Sequence, residues 1–312
     1  MKYTASELRE LLKSRDTALR MKVIRMCDAL GEPDRTQLLC IAIKDRSSYL
    51  AADAAVRLVA RAEPISVEPV LARFLYLMED GYKRDPGCYI RANLAAVLGN
   101  MHALEAVPAL RDGLRAYQLE NCLDTAGPLR SNCAMALATI PFGDPVMDLA
   151  FLLFYIGPTE NAQRFFDRSS QFTAVQALVR LEQAQSAIAL YAKLSDPAEP
   201  NNALLAECMS GLVELKHPRA AECLVRFLDN ENENLAVSAA IYLLGTMEDE
   251  YLPAILAMLP NLKGDLLEAL LMTLSNSRSD GARDAVAQLR IVGNEEIQRF
   301  LPPEPDGHSQ PG

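Results

Sequence analysis

Asp85–Leu114, DPGCYIRANLAAVLGNMHALEAVPALRDGL, is the stretch whose reading decides the fold. Ile90, Leu94, Val97 and Leu98 recur at helical spacing and form one apolar face. Ala92, Ala95 and Ala96 lie between them and let a second helix approach closely. A break follows at Gly99–His102, where Gly99 suits the left-handed residue that ends a helix. Val107, Leu110 and Leu114 then mark a second helix. Pro108 falls in its first turn, where a missing N–H costs no hydrogen bond. The stretch therefore predicts two antiparallel helices.

The same unit returns along the chain. Leu98 stands 12 residues before Leu110, and that offset recurs in Leu30/Ala42, Val59/Leu71, Leu137/Leu149, Leu178/Leu190, Leu212/Leu224, Leu243/Ile255 and Leu274/Val286. A proline precedes the second member by two residues at Pro69, Pro108 and Pro253. Successive first members are 29, 39, 39, 41, 34, 31 and 31 residues apart, a period that belongs to stacked helix pairs. Tetratricopeptide repeats are excluded by the absence of Trp, and ankyrin repeats by the absence of Thr-Pro-Leu-His. No stretch alternates apolar and polar residues long enough for a convincing strand.

Two units carry a closer likeness: Asp85…Ile90-Arg91…Ala95-Ala96-Val97-Leu98-Gly99…Glu105-Ala106-Val107-Pro108-Ala109-Leu110, and Leu243-Leu244-Gly245…Leu252-Pro253-Ala254-Ile255-Leu256. They resemble the HEAT-like repeat family in its short bacterial form, the kind also found in phycobilin lyases. The resemblance implies an all-α protein, a right-handed α-solenoid of about eight HEAT-like helix pairs. In such an array each repeat touches only its neighbours, so residues 1–301 are expected to form a single body. Pro302–Gly312, rich in Pro, Gly and polar residues, is expected to be disordered.

Composition narrows the function. The formal net charge of −10 argues against nucleic acid, whose phosphates call for a basic stripe. The longest apolar run, Ala150–Ile156, falls far short of the ~20 residues of a membrane span. Seven cysteines, an odd number with no CxxC pair, suit reduced thiols and a cytoplasmic location. Charge is also uneven. Residues 1–60 carry 11 bases and 8 acids, whereas residues 196–250 carry 3 and 11. Arg9, Lys13, Arg15, Arg20, Lys22 and Arg25 crowd the first repeat, which is either a solvated terminal face or a docking site for an acidic partner.

Chemistry-bearing motifs are scarce. His102 and His217 fall in the breaks of the third and sixth pairs, with no Ser or Cys tied to them. Asp229–Asn234 begins like a calcium loop but has Asn234 and Ala240 where Gly and Glu belong. A His-Glu pair of the kind used by di-iron HEAT-like hydroxylases is missing. No catalytic residue, metal ligand or cofactor is therefore assigned.

The long spacings arise from three connections, 79–86, 115–128 and 157–168, each following the second helix of its pair. Insertions at one repeat position map to one edge, often the binding edge. Aromatic and arginine side chains, enriched at interface cores, gather there. The candidate partner-binding residues are Tyr76, Tyr82, Arg84, Tyr89, Arg91, Arg115, Tyr117, Phe165, Phe166 and Phe172. The expectation is a non-enzymatic scaffold that holds a protein or peptide against its second helices and this edge. The alternative implied by the resemblance is an accessory subunit of a chromophore lyase or isomerase.

Overall fold

A computed structural model describes residues 3–61, 63–217, 219–246 and 248–303. Of the expected disordered tail, 304–312 lie outside the described residues, as do Ala62, Pro218 and Met247. A short opening helix α1 (Ala5–Leu11) carries the capping box read from Thr4 and Glu7: the Glu7 amide donates to Thr4 Oγ1, and Glu7 Oε2 accepts from the Thr4 amide at 2.8 Å. Eight helix pairs follow. They are α2 (Thr17–Met26) with α3 (Asp34–Ala42), α4 (Ser48–Arg61) with α5 (Val67–Glu79), and, after a helical turn α6 (Gly81–Arg84), α7 (Tyr89–Asn100) with α8 (Val107–Gly113). The fourth pair is α9 (Gly127–Thr139) with α10 (Val146–Phe154), and the fifth, after α11 (Glu160–Gln163), is α12 (Ser169–Arg180) with α13 (Ala184–Leu194). The last three are α14 (Asn202–Glu214) with α15 (Ala220–Val225), α16 (Glu233–Thr246) with α17 (Leu252–Met258), and α18 (Gly264–Asn276) with α19 (Asp280–Val292), before α20 (Glu295–Phe300). The chain is all-α, built of successive helix pairs.

It divides into two compact units at Glu182, between the helices of the fifth pair. In the first unit, first helices stack in sequence, α4 on α7, α7 on α9 and α9 on α12. In the second, α14 packs on α16 and α16 on α18. The 12-residue pairs supply the core. Leu98/Leu110, Leu137/Leu149, Leu178/Leu190, Leu212/Leu224 and Leu243/Ile255 are all buried. In the second pair the register is one residue off, because Leu58/Val70 are buried and Val59/Leu71 are only half-buried. In the first pair the shift is three residues: Cys27 and Leu39 are buried, Leu30 is only half-buried, and Ala42 is buried beside Leu39. A run of neighbouring apolar residues hides which of them faces inward.

Gly99 does not take the left-handed conformation expected of it. It remains helical, and a Cβ there would lie 2.7 Å from Ala136 Cβ and 2.8 Å from its Cα. Its role is to let α7 and α9 touch. His102 takes the positive φ of 51° instead, its amide bonding to Gly99 O while the Ala103 amide bonds to Leu98 O. That double closure ends the helix. Lys216 repeats it after α14, with φ 50° and the pair of bonds to Val213 O and Leu212 O. One strand pair goes beyond the all-helical expectation: β1 (Leu119–Glu120) and β2 (Leu123–Asp124), antiparallel, in the second connection.

Candidate protein-interaction surface

The three connections join one another, and two buried arginines do the joining. Asp85 closes the first connection: its carboxylate accepts from the Ile90 and Arg91 amides and from Arg91 Nε at 3.2 Å. Arg91 Nη2 reaches onward to Gln118 Oε1 at 2.5 Å, and Gln118 Nε2 returns to Asp85 O at 3.0 Å. Thus the first connection is tied to the second. Asp124 in the second connection accepts from the Gln118 and Ala126 amides, from Arg130 Nη2 at 2.7 Å, and from the Asp167 amide in the third connection. Arg130, fully buried, also donates to Ala116 O, Asp167 O and Ser170 Oγ. Such charges are tolerated inside only because their donors and acceptors are satisfied. Asp85/Arg91 and Asp124/Arg130 share a six-residue offset and lie 39 residues apart, a motif the apolar reading of the repeat passed over.

The candidate residues separate on this frame. Arg91 is buried in the ladder and Phe166 is 7 % exposed beneath Arg130, whose guanidinium lies 4.1 Å from its ring centre. Neither side chain offers surface to a partner, which corrects two of the ten assignments. Tyr76 and Arg84 form a closed pair. The Arg84 guanidinium sits 3.9 Å over the ring, bonds to the Tyr76 carbonyl and pairs with Glu79 at 2.8 Å. Tyr82 (66 %) and Phe165 (42 %) are free on the surface, whereas Tyr117 and Phe172 are half-buried. Tyr89 (71 %) stands with Tyr49, Asn93 and Glu120 around a groove of about 720 Å³ between α4, α7 and the β1–β2 turn, on first helices rather than second ones.

Arg115 stands beside a different concavity. A trough of about 540 Å³ runs along the second helix α10, lined by Met147, Ala150, Phe151, Phe154, Tyr155 and Ile156. Met147 is 75 % exposed. The exposed Arg115 guanidinium lies 4.5 Å from the Phe151 ring centre, and Tyr155 Oη donates to Arg115 O. Phe151 stacks on Tyr155, which meets Phe166 edge to face at 5.3 Å between centroids, so the trough wall is braced from below. Burial pushes the Tyr155 hydroxyl above its usual range. Met147, Phe151 and Phe154 were not among the candidates. For Phe151 and Phe154 the signal was present in the apolar run Ala150–Ile156, too short for a membrane and more apolar than one inward face needs.

Elsewhere the titratable groups serve the fold. His102 Nδ1 lies 3.1 Å from Thr139 O, and His217 Nδ1 accepts from the Arg219 amide. Burial raises the Cys27, Cys40 and Cys88 thiols to about 11 and Cys208 to about 12. They remain thiols, poor nucleophiles and poor metal ligands, at neutral pH. Among the described residues, no three His, Cys, Asp or Glu side chains are grouped to hold a metal, and no helix is long and apolar enough to cross a membrane.

No family model matches the chain, and no curated protein does. Solved structures do share its fold. Kap121p bound to Pho4p is 14 % identical with a TM-score of 0.55 over 95 % of this chain and 36 % of that one. Kap121p bound to Nup53p is 13 % identical, also with a TM-score of 0.55 and the same coverage. The chain thus spans about a third of the length of Kap121p. Human deoxyhypusine hydroxylase, 17 % identical, aligns over 87 % of this chain and 94 % of its own, at a TM-score of 0.33. At these identities the likeness to the Kap121p structures is one of architecture alone: the chain has the all-α fold of stacked helix pairs seen there.

Proposed function

We propose that the chain is a non-enzymatic scaffold that holds a protein or peptide partner on the second-helix surface of its first unit. The observation that carries this reading is the α10 trough. Apolar side chains kept in water on a braced wall mark interaction sites, and the trough presents a Met and two Phe rings with the exposed Arg115 guanidinium over one of them, types favoured at interface cores. That Kap121p, with the same architecture, is seen bound to Pho4p and Nup53p is in keeping with this reading.

The test is affinity capture by the full chain followed by mass spectrometry, comparing wild type with a Met147→Asp/Phe154→Ala double variant. Both side chains are exposed, so helical content should not change. The expected result is a set of proteins recovered by the wild type and lost by the variant. Equal recovery by both overturns the assignment.

A further inference from the structure

The first repeat contains a second concavity, of opposite character to the chain as a whole. Its volume is about 520 Å³, and it lies between the end of α1, the end of α3 and the start of α5. Lys13, Arg20, Lys44 and Arg46 line it, against one carboxylate, Asp45. In a chain of net charge −10, a cavity with four cations and one anion runs against the overall balance.

Two of the four cations are spent. Arg20, buried, holds Asp45 with both ends of its guanidinium, at 2.7 and 3.1 Å. Lys13 pairs with Glu10 at 2.6 Å on the open surface, where such a pair is weak. The other two are uncompensated. Arg46 reaches only a carbonyl, Arg15 O, at 2.9 Å, and no carboxylate among the described residues pairs with Lys44. Nor is Lys44 needed to satisfy the end of α3, since the Lys44 and Asp45 amides already bond to Ile41 O and Ala42 O. The wall is built rather than loose: Arg20 Nη1 bonds to Ser14 O and Arg46 Nη2 to Arg15 O, so two arginines clamp the turn after α1.

The lining also has an apolar component. Ile41 is 39 % exposed on the second helix α3, and Leu12 and Pro69 complete that side. Bare phosphate would use the cations and leave this apolar side wet. A segment that places a carboxylate beside an aliphatic side chain uses both. We propose that this cavity docks an acidic peptide segment of a partner protein, with its Asp or Glu carboxylates on Lys44 and Arg46 and an aliphatic residue against Ile41. The site is separate from the α10 trough, so one can fail while the other stands.

The experiment is fluorescence anisotropy of the full-length chain with three labelled probes: a peptide alternating Glu and Leu, the same peptide with Lys for Glu, and a 20-nucleotide single-stranded DNA. Vesicles containing phosphatidylserine are added in a sedimentation assay. The Glu-Leu peptide is expected to bind, weakening as salt rises, and to bind more tightly than the other probes. Lys44→Glu and Arg46→Glu should each weaken it by about tenfold, the scale of losing one complementary charge at a partly buried contact. Ile41→Ala should weaken it by about threefold, as expected for losing part of one apolar contact. Lys263→Glu, an equal charge change on an exposed residue in the other unit, should leave affinity unchanged. The Met147→Asp/Phe154→Ala variant should bind the peptide as the wild type does. No binding, equal weakening by Lys263→Glu, or tighter binding of DNA or vesicles would each overturn the proposal.

Discussion

Lys216 holds a left-handed backbone with φ 50°, and its side chain makes no bond in return among the described residues. A β-carbon there costs what glycine avoids, so Lys216→Gly should stabilise the chain by about 0.5–1 kcal/mol, read as a raised Tm. His102 has the same φ to within one degree, but its ring lies 3.1 Å from Thr139 O, so His102→Gly should gain less or nothing. The same accounting of surroundings separates the cysteines. Six are buried and Cys122 alone is exposed, near the tip of the β1–β2 turn. The buried thiols titrate upward because burial disfavours the thiolate. Native protein at pH 8 should therefore show one fast-reacting thiol with a chromogenic disulfide reagent, and Cys122→Ser should abolish it. Denaturant should expose all seven.

At the scale of the helix, one substitution acts with opposite sign at two places. Gly99→Ala puts a methyl 2.8 Å from the Ala136 backbone, which cannot swing aside. Overpacking of that kind costs about 1–3 kcal/mol and outweighs the helix-propensity gain of about 1 kcal/mol. Gly245, exposed near the end of α16, has nothing within 4 Å of its would-be Cβ. Gly245→Ala should thus stabilise by most of that propensity gain. Thermal melts of the two variants should move in opposite directions. The connections follow a different logic. Asp85/Arg91 and Asp124/Arg130 close each first helix against the connection before it, and the ladder passes on to Asp167. The long connections are held by buried charges bonded to partners on them, while Tyr82 on the first and Phe165 on the third stay in water.

Across the whole chain, the division at Glu182 gives each unit its own core. In a repeat array, stability is close to a sum of local and nearest-neighbour terms, so unfolding need not be one event. Leu137 and Leu243 are both fully buried, one in each unit. Leu137→Ala and Leu243→Ala should each cost about 2–5 kcal/mol in its own unit. Urea titrations should resolve two transitions, the first variant shifting one and the second shifting the other. A single transition moved equally by both would show that the units unfold as one.

The helix pairs were legible because a 3.6-residue period and a 12-residue offset need only local sequence; a helix pair stands near each of the eight places the pattern marked, with the buried register displaced in the first two. The three long connections were legible too, as the excess over a 31-residue period. The role of each side chain on them was not. Arg91 and Arg115 read alike, as arginines beside aromatic residues. One is buried against Asp85 and the other lies open over Phe151, because burial depends on what the next repeat brings alongside. For the same reason Gly99 read as a helix end, since only Ala136, 37 residues away, shows it to be a point of contact. Periodicity is a property of one strand of sequence and is settled there. Exposure is a property of neighbours distant in sequence, and only packing decides it.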